Sequence, residues 1–510
     1  MEKRLVLAIA LSLLVLLSWS AIMPKPQLVD NKGVTDEAGY LKSSGQKLIS
    51  NTTAASGLLQ PVLDTPKEVV KFSQDNRDVI FDSSRASIVE VVFKHKLEHR
   101  LPLKIGLFSE NNNLFKQASI DKGQISFVYQ DQNKRITKKF IFHKDSYAID
   151  LDIQIQNLSS SPLILPQQLV LGRLDLSAKN IQSRYQDILI SSKEKTFHIP
   201  AGKEYSIDYI KFIGLRDQYF CAILEPVGLT TGAYVKKINS QESEIGISGK
   251  ELTLNPGEQI GHLYHIYLGP QDLKTINNIK PEWSSIIYFG TFDFIAQLLL
   301  QLLEFFYGLV HNWGWAIIIL SLAVYFLLFP LSLKQMRSMK EMQLLQPKIE
   351  ALRKELKDNP QRLNKEIMEL YKEHKVNPLG GCLPLLLQMP IFFALYQALI
   401  RSVALRGAHF LWIKDLSSPD QLFTLKNSIP LLGNQVNILP ILMAIGMFVQ
   451  QKISTVKATG EAAQQQKIMS VIMPVMFGVI FYQMPSGLVL YWFVNSGLML
   501  LYQLRLNKQK

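Results

Sequence analysis

Two uncharged apolar runs, 468–484 and 488–504, are separated only by Pro485-Ser486-Gly487. Nothing in the chain constrains the fold more. Apolar segments of this length, back to back, bury themselves best in a bilayer. There every backbone N–H and C=O must be satisfied within the segment, which leaves only helices or a closed barrel. Unbroken apolarity, rather than period-2 alternation, selects helices. Further runs of the same kind follow from the same reading. Residues 313–333 and 379–400 carry no charge, and 429–449 is apolar but interrupted by Asn434, Gln435 and Asn437. Near the start, 5–23 is an uncharged stretch of 19 residues, long enough for a hydrocarbon core of about 30 Å. It reads as an uncleaved anchor with Lys3 and Arg4 inside. The expectation is six spans.

Charge orients them. Positions 332–376 hold eleven Lys/Arg and seven Asp/Glu. Lys452, Lys457 and Lys467 lie in the next loop on that side, and Arg505, Lys508 and Lys510 in the tail. The positive-inside rule then places both termini in the cytoplasm. The excess of 55 basic over 42 acidic residues reflects these flanks, not a specific nucleic-acid surface. Mean hydropathy is only +0.09, because 24–282 is polar and 313–504 is not. Two cysteines, Cys221 and Cys382, fall on opposite sides of the membrane in this layout. They cannot pair within one chain, and they exclude a Cys-based zinc site.

Residues 24–65 are rich in Ser, Thr, Gly and Asn and read as a flexible tether. From about Val69 to Ile279 the pattern is strand-like. In 147–155, Ile149, Leu151, Ile153 and Ile155 alternate with Asp150, Asp152 and Gln154, the mark of a half-buried strand. It pairs with 136–142 across the turn His143-Lys144-Asp145-Ser146. Repeated strands of this type predict an antiparallel sandwich. Its histidine pairs, His95 with His99 and His262 with His265, read as structural or surface residues. On strands, spacings of four and three do not gather ligands as they would on a helix. No nucleophile motif, phosphate loop, catalytic carboxylate pair or cofactor motif is present, so no enzyme and no cofactor are expected.

In 292–308, Asp293, Gln297, Gln301 and Glu304 recur at helical spacing opposite Ile295, Leu298, Leu299, Leu302, Phe305 and Phe306. This is an amphipathic helix expected to lie flat on the outer leaflet. Residues 334–375 read as a helical hairpin broken at Asn359-Pro360, with Asn359 as N-cap and Pro360 in the first helical position. Ile349, Leu352 and Leu356 form one apolar stripe. Leu363, Ile367, Leu370 and Tyr371 form the other. Met336, Met339 and Met342, one turn apart beyond the membrane, are adaptable apolar side chains suited to varied hydrophobic segments.

Polar side chains inside the spans are the sharper signal, because they are costly unless they meet water or a partner. Ser321, Tyr325, Gln388, Trp492 and Asn495 are the candidates for lining a wet, uncharged recess, with Gln397 and Ser496 nearby. None is ionisable at neutral pH, which disfavours an ion-coupled carrier. The last two runs are about 17 residues each, at the short end of the spanning range, and would thin the bilayer beside that recess.

The stretches Lys375-Val376-Asn377-Pro378-Leu379-Gly380-Gly381-Cys382-Leu383-Pro384 with Gln388-Met389-Pro390-Ile391-Phe392, Pro485-Ser486-Gly487-Leu488-Val489-Leu490-Tyr491-Trp492, and Leu345-Gln346-Pro347-Lys348-Ile349 closely resemble the YidC/Oxa/Alb family of membrane protein insertases, in its Gram-negative form. The resemblance is strongest over 311–500. Tyr267-Leu268-Gly269-Pro270 extends it loosely into the outer domain. It implies a polytopic α-helical membrane protein of the inner membrane: a five-helix insertase core around a hydrophilic groove open to cytoplasm and lipid, with a periplasmic antiparallel β-supersandwich. It also implies a greasy slide beside the third and fifth spans. The partners implied are nascent membrane proteins, the lipid bilayer, and the SecYEG and SecDF complexes. Ribosome or signal recognition particle contact would rest on a short tail, 505–510. Two positions depart from the family pattern. Its usual groove Arg aligns with Tyr325, which puts in doubt a mechanism needing a fixed positive charge, and a usual Tyr aligns with Trp492.

The expected domains are an anchor at 1–23, the tether at 24–65, the sandwich at 66–282 and the interfacial helix at 283–308. Spans follow at 309–333, 377–404, 429–450, 468–484 and 488–504. The hairpin at 334–376 and the loops 405–428 and 451–467 lie between them, and the tail is 505–510. Two rival readings are a transporter or channel, and an anchored periplasmic ligand-binding module.

Overall fold

The computed structural model describes residues 68–94, 96–107, 109, 115–175, 185–193, 195–200, 202–229, 231–356, 359–374, 376, 383–429, 433–454 and 461–508. The anchor, the tether, His95 and Cys382 lie outside the described residues. The chain divides into two compact units, Met1–Ile287 and Tyr288–Lys510.

The first unit is antiparallel throughout its described pairings. Its largest sheet has nine strands. The strand Gln259–Pro270 runs through it between Ala148–Asn157 and Phe220–Pro226. Beside it are two four-stranded sheets, one of them built from Val69–Ser73 through Glu98–Gly106, and a two-stranded pair, Leu163–Leu165 with Leu252–Leu254. The predicted pair is present as Lys134–Phe142 and Ala148–Asn157, in a register that sets Ile136 opposite Ile155 and Phe142 opposite Ile149. Alternation explains the burial: Ile149, Leu151 and Ile153 are in the core. Phe81, Phe93, Phe127, Phe140, Phe212 and Phe220 are fully buried, and Phe93 stacks on Phe220 at 3.9 Å.

The second unit is helical: α1 (Asp293–Val310), α2 (Trp313–Glu355), α3 (Pro360–Glu373), α4 (Leu383–Arg401), α5 (Ile438–Ser454), α6 (Glu461–Phe481) and α7 (Ser486–Lys508). α1 packs against α2 and α4; α7 packs against α2, α5 and α4. Among the described residues, three segments are long and apolar enough to cross a membrane: Asp293–Val310, Trp313–Leu333 and Ser486–Arg505. Two shorter apolar helices, Ile438–Ile453 and Ser470–Phe481, accompany them. Exposed Ile441, Leu442, Ile445, Phe448 and Val449 on α5, and Val471, Val475 and Val479 on α6, form apolar faces that water would not tolerate at this size.

Two elements differ from the sequence reading. The hairpin's first arm is not a separate helix. α2 runs 43 residues through Pro330 and Pro347 without a break, about 65 Å, or twice a hydrocarbon core. Its second half must therefore project from the apolar layer. The run expected to begin a span at 429 is instead a hairpin, Phe423–Ile429 with Gly433–Val436, and helix starts only at Ile438. The polar Asn434, Gln435 and Asn437 belong to that hairpin and its junction with α5.

Candidate functional site

α7 carries Tyr491, Asn495 and Tyr502 on one face, by their spacings of four and seven. Tyr491 is completely buried, and Gln388 Nε2 on α4 donates to its hydroxyl at 2.8 Å. Asn495 Nδ2 donates back to the Tyr491 carbonyl at 2.9 Å. Two apolar helices are thus joined by a polar link, which in a low-dielectric layer is worth keeping satisfied. Further along the same face, Tyr502 packs edge-on against Phe329 at 5.2 Å, and Phe329 meets Tyr325 at 5.8 Å. Tyr325 is half-buried.

The other candidates sit differently. Ser321 is fully buried and its hydroxyl donates to the Ile317 carbonyl at 2.7 Å, within its own helix. Trp492 lies in an aromatic cluster with Phe392 of α4 and Phe477 and Phe481 of α6, at centroid distances of 5.2–5.7 Å. The backbone of Met336, Met339 and Met342 belongs to α2, but their side chains lie outside the described part. Gln388, Tyr491 and Asn495 are therefore brought together, Tyr325 sits in a separate ring group with Phe329 and Tyr502 further along α7, and Ser321 and Trp492 pack aside. The reading of single polar residues passed over Tyr491. Its place four residues before Asn495 was the available signal.

One end of the bundle is tied by a polar lattice. Asp420 Oδ2 accepts from the backbone N–H groups of Ile438 (2.9 Å) and Leu439 (3.0 Å), capping α5, and from Trp412 Nε1 (3.3 Å). Asn437 Nδ2 donates to the Tyr482 carbonyl at 2.6 Å, and the Tyr482 hydroxyl donates to the Gln435 carbonyl at 2.8 Å. The α6–α7 turn is held by Ser486 N to Ser418 O at 2.8 Å and Gly487 N to Leu416 O at 2.9 Å. Asp420, Asn437 and Ser486 are all buried. No sequence motif announced this lattice, because its partners lie 8 to 71 positions apart.

The opposite end carries the hairpin. Asn359 Oδ1 caps α3 by accepting from Arg362 N at 3.1 Å, with Pro360 first in the helix. Leu345, Ile349 and Val376 form its core against Ile367, Leu370 and Tyr371. α1 divides its surface three ways. Ala296, Leu299 and Leu303 are buried, Asp293, Gln297, Gln301 and Glu304 form a polar arc, and Phe294, Leu298, Leu302, Phe305 and Leu309 are exposed.

In the sandwich, His262 and His265 lie on opposite faces of one strand, and His265 shares the Asp150 carboxylate with His143. His99 bonds Asp217 at 2.6 Å, and His265 bonds Asp150 at 2.7 Å. His262 is buried on the other face of the same strand, with no hydrogen-bond partner for either ring nitrogen.

An apolar helical bundle, crossed by polar links and joined to an antiparallel β-rich domain, defines a multi-pass helical membrane protein. The family model described as 60Kd inner membrane protein matches residues 305–510, and that described as YidC periplasmic domain matches 88–302. The membrane protein insertase YidC of Geotalea uraniireducens (strain Rf4) is 32% identical over 549 residues, covering 100% of this chain and 99% of the relative. That of Geobacter sulfurreducens is 36% identical over 400 residues, covering 76% and 71%. A crystal structure of an active YidC insertase with its first transmembrane domain resolved is 19% identical, covers 86% of this chain and 92% of that one, and has a TM-score of 0.41. The chain belongs to the YidC family of inner-membrane insertases, whose work is not enzymatic.

Proposed function

We propose that this chain inserts and helps fold inner-membrane proteins by receiving the polar part of a nascent segment in an uncharged recess between α2, α4 and α7. The observation that carries this reading is the Gln388–Tyr491 hydrogen bond beside Asn495. It is a polar contact within an apolar bundle and involves no ionised side chain. A polar substrate tail replaces those bonds with its own, and its apolar helix then moves sideways into lipid, driven by burial of apolar surface. No bond is made or broken covalently. Tyr325, Gln388 and Asn495 line the recess. Ser321 and Trp492 form its packed wall, and Trp492 with Phe392, Phe477 and Phe481 offers an aromatic surface for the departing helix. The lattice around Asp420 supports closure at the outer end. Met336, Met339 and Met342 on the hairpin meet the incoming segment first.

The six-span layout, the cytoplasmic termini, the periplasmic position of the sandwich and the flat-lying α1 are parts of the same reading. The three-arc surface of α1 suits a helix with bundle, water and lipid neighbours. Nascent membrane proteins and lipid are the substrates and destination; SecYEG, SecDF and ribosome contacts are further proposals.

The test is insertion of a small single-span substrate in cells depleted of the native protein. A stalled nascent chain should crosslink to probes at 325, 491 and 492. Full rescue by the Ser321→Ala/Trp492→Ala double variant at normal protein levels, with no crosslinks at 325 and 491, would sink the recess. Solute flux without insertion would favour a channel instead.

A further inference from the structure

The turn 410–413 lies between the end of α4 and the start of α5, so it stands at the bundle end opposite the hairpin. It is held firmly. Phe410 lies against Gly314, where an added Cβ would come within 2.0 Å of the ring, and packs edge-on to Trp315 at 5.8 Å. Phe410 and Ile413 exchange backbone hydrogen bonds of 2.9 and 2.8 Å, and Trp412 is tied to Asp420.

Leu411, at the tip, shares none of this anchoring. Its φ is +52° and the residue is 74% exposed. A left-handed backbone disfavours any residue with a Cβ, least so Asn and Asp, and water disfavours a bare leucine. Both penalties fall on one residue, in a turn where Gly or Asn would carry neither. Neither the packing of the bundle nor the polar lattice requires a leucine there.

The surroundings identify an occupant. Trp315, beside the turn, is 54% exposed, and Leu309 at the end of α1 is exposed close by in the chain. His409 and Lys414 flank the tip and are exposed. From 402 to 414 there is no acidic residue, and Asp415 Oδ1 is engaged by the Ser417 backbone and hydroxyl at 2.8 Å. An apolar tip ringed by aromatic and basic groups matches the boundary between acyl chains and anionic headgroups. One leucine is far too small for a protein interface, which needs about 1,000 Å².

We propose that the 410–413 turn is a lipid-docking tip. Leu411 enters the acyl boundary of the leaflet at that end, while His409 and Lys414 meet the phosphates of anionic phospholipids. This rests on the reading that the bundle spans a bilayer.

The test uses the full chain with Cys382→Ser and Leu411→Cys, labelled with an environment-sensitive fluorophore and placed in nanodiscs of phosphatidylcholine with or without phosphatidylglycerol. Cys221 can stay, since it is fully buried and burial pushes its thiol far above the usual range. Lipid carrying a doxyl quencher near the headgroup end of its chain should quench the 411 probe at least about two-fold more than aqueous iodide does. A probe at Lys372→Cys on the hairpin should do the reverse. Phosphatidylglycerol should increase the lipid quenching at 411, and Lys414→Glu should abolish the increase. Iodide quenching at 411 equal to that at 372 overturns the docking. Equal quenching in both lipid mixtures overturns the anionic-headgroup assignment. A probe at Ile445→Cys, on the exposed apolar face of α5, separates the failures: without lipid quenching there, it is the bilayer reading that falls.

Discussion

Tyr491 and Trp492 are consecutive, yet α7 sends them to different neighbours: one to the Gln388 amide, the other into a ring cluster spanning α4 and α6. Tyr491→Phe keeps the ring and removes the acceptor. In an apolar bundle the loss of one such bond is worth about 1 kcal/mol, or roughly five-fold in a rate that depends on it. We expect Tyr491→Phe to slow insertion of a single-span substrate by about that factor at unchanged protein level, measured by protease protection in proteoliposomes. Gln388→Leu should have a similar effect, and the double variant should be little worse than either, because both delete one bond. Additive losses would mean that the two side chains act separately. Gln388 and Asn495 were legible as candidates because an amide in an apolar run is conspicuous. Tyr491 stood out less, because tyrosine is common near membrane boundaries; its place four residues before Asn495 was the one local sign, and the pairing across helices is what distinguishes it. The loss of the family's groove Arg at Tyr325 was legible too, but its contact with Tyr502 through Phe329 depends on α2–α7 packing, which no local pattern encodes.

Elements with one strong period were the most readable. The strand Ala148–Asn157 and the arcs of α1 follow from alternation and 3.6-residue spacing, and the cap at Asn359-Pro360 follows from local chemistry. The hairpin at 423–436 was misread because its apolar residues around 429 resemble the start of a span. The polar junction at Asn437, tied to Tyr482 across 45 positions, decides otherwise. The continuity of α2 was equally hidden: each proline forfeits a helix hydrogen bond, yet tertiary packing carries the helix through. On the strand Gln259–Pro270, His262 points into the core without a partner, and burial lowers its pKa below the usual 6.5. A depressed histidine pKa favours the folded state above the unfolded pKa. That contribution is lost as pH falls from about 6.5 toward the folded value. His262→Leu should therefore raise the thermal midpoint, by the equivalent of about 1–2 kcal/mol from removing an unsatisfied buried group. The gain should be larger near about pH 5.5 than near about pH 8. Equal gains at both would show that the imidazole does not titrate differently on unfolding.

At the scale of the whole molecule, the two units divide the chemistry. Residues up to Ile287 hold a sandwich with its own aromatic core; residues from Tyr288 hold the polar link, the lattice and the hairpin. The functional reading uses only the second. A unit with its own hydrogen-bonded sheets and its own core has what a separately folding domain needs. Deleting residues 70–280 should therefore leave on the order of half or more of the single-span insertion activity, scored at matched membrane abundance. Loss of the remaining activity would transfer the essential function to the sandwich and favour a ligand-binding module. The comparison must include Tyr491→Phe in the shortened chain. If the recess acts within the helical unit alone, that substitution should produce the same fractional loss with and without the sandwich, because the bond it removes lies between α4 and α7 in either case.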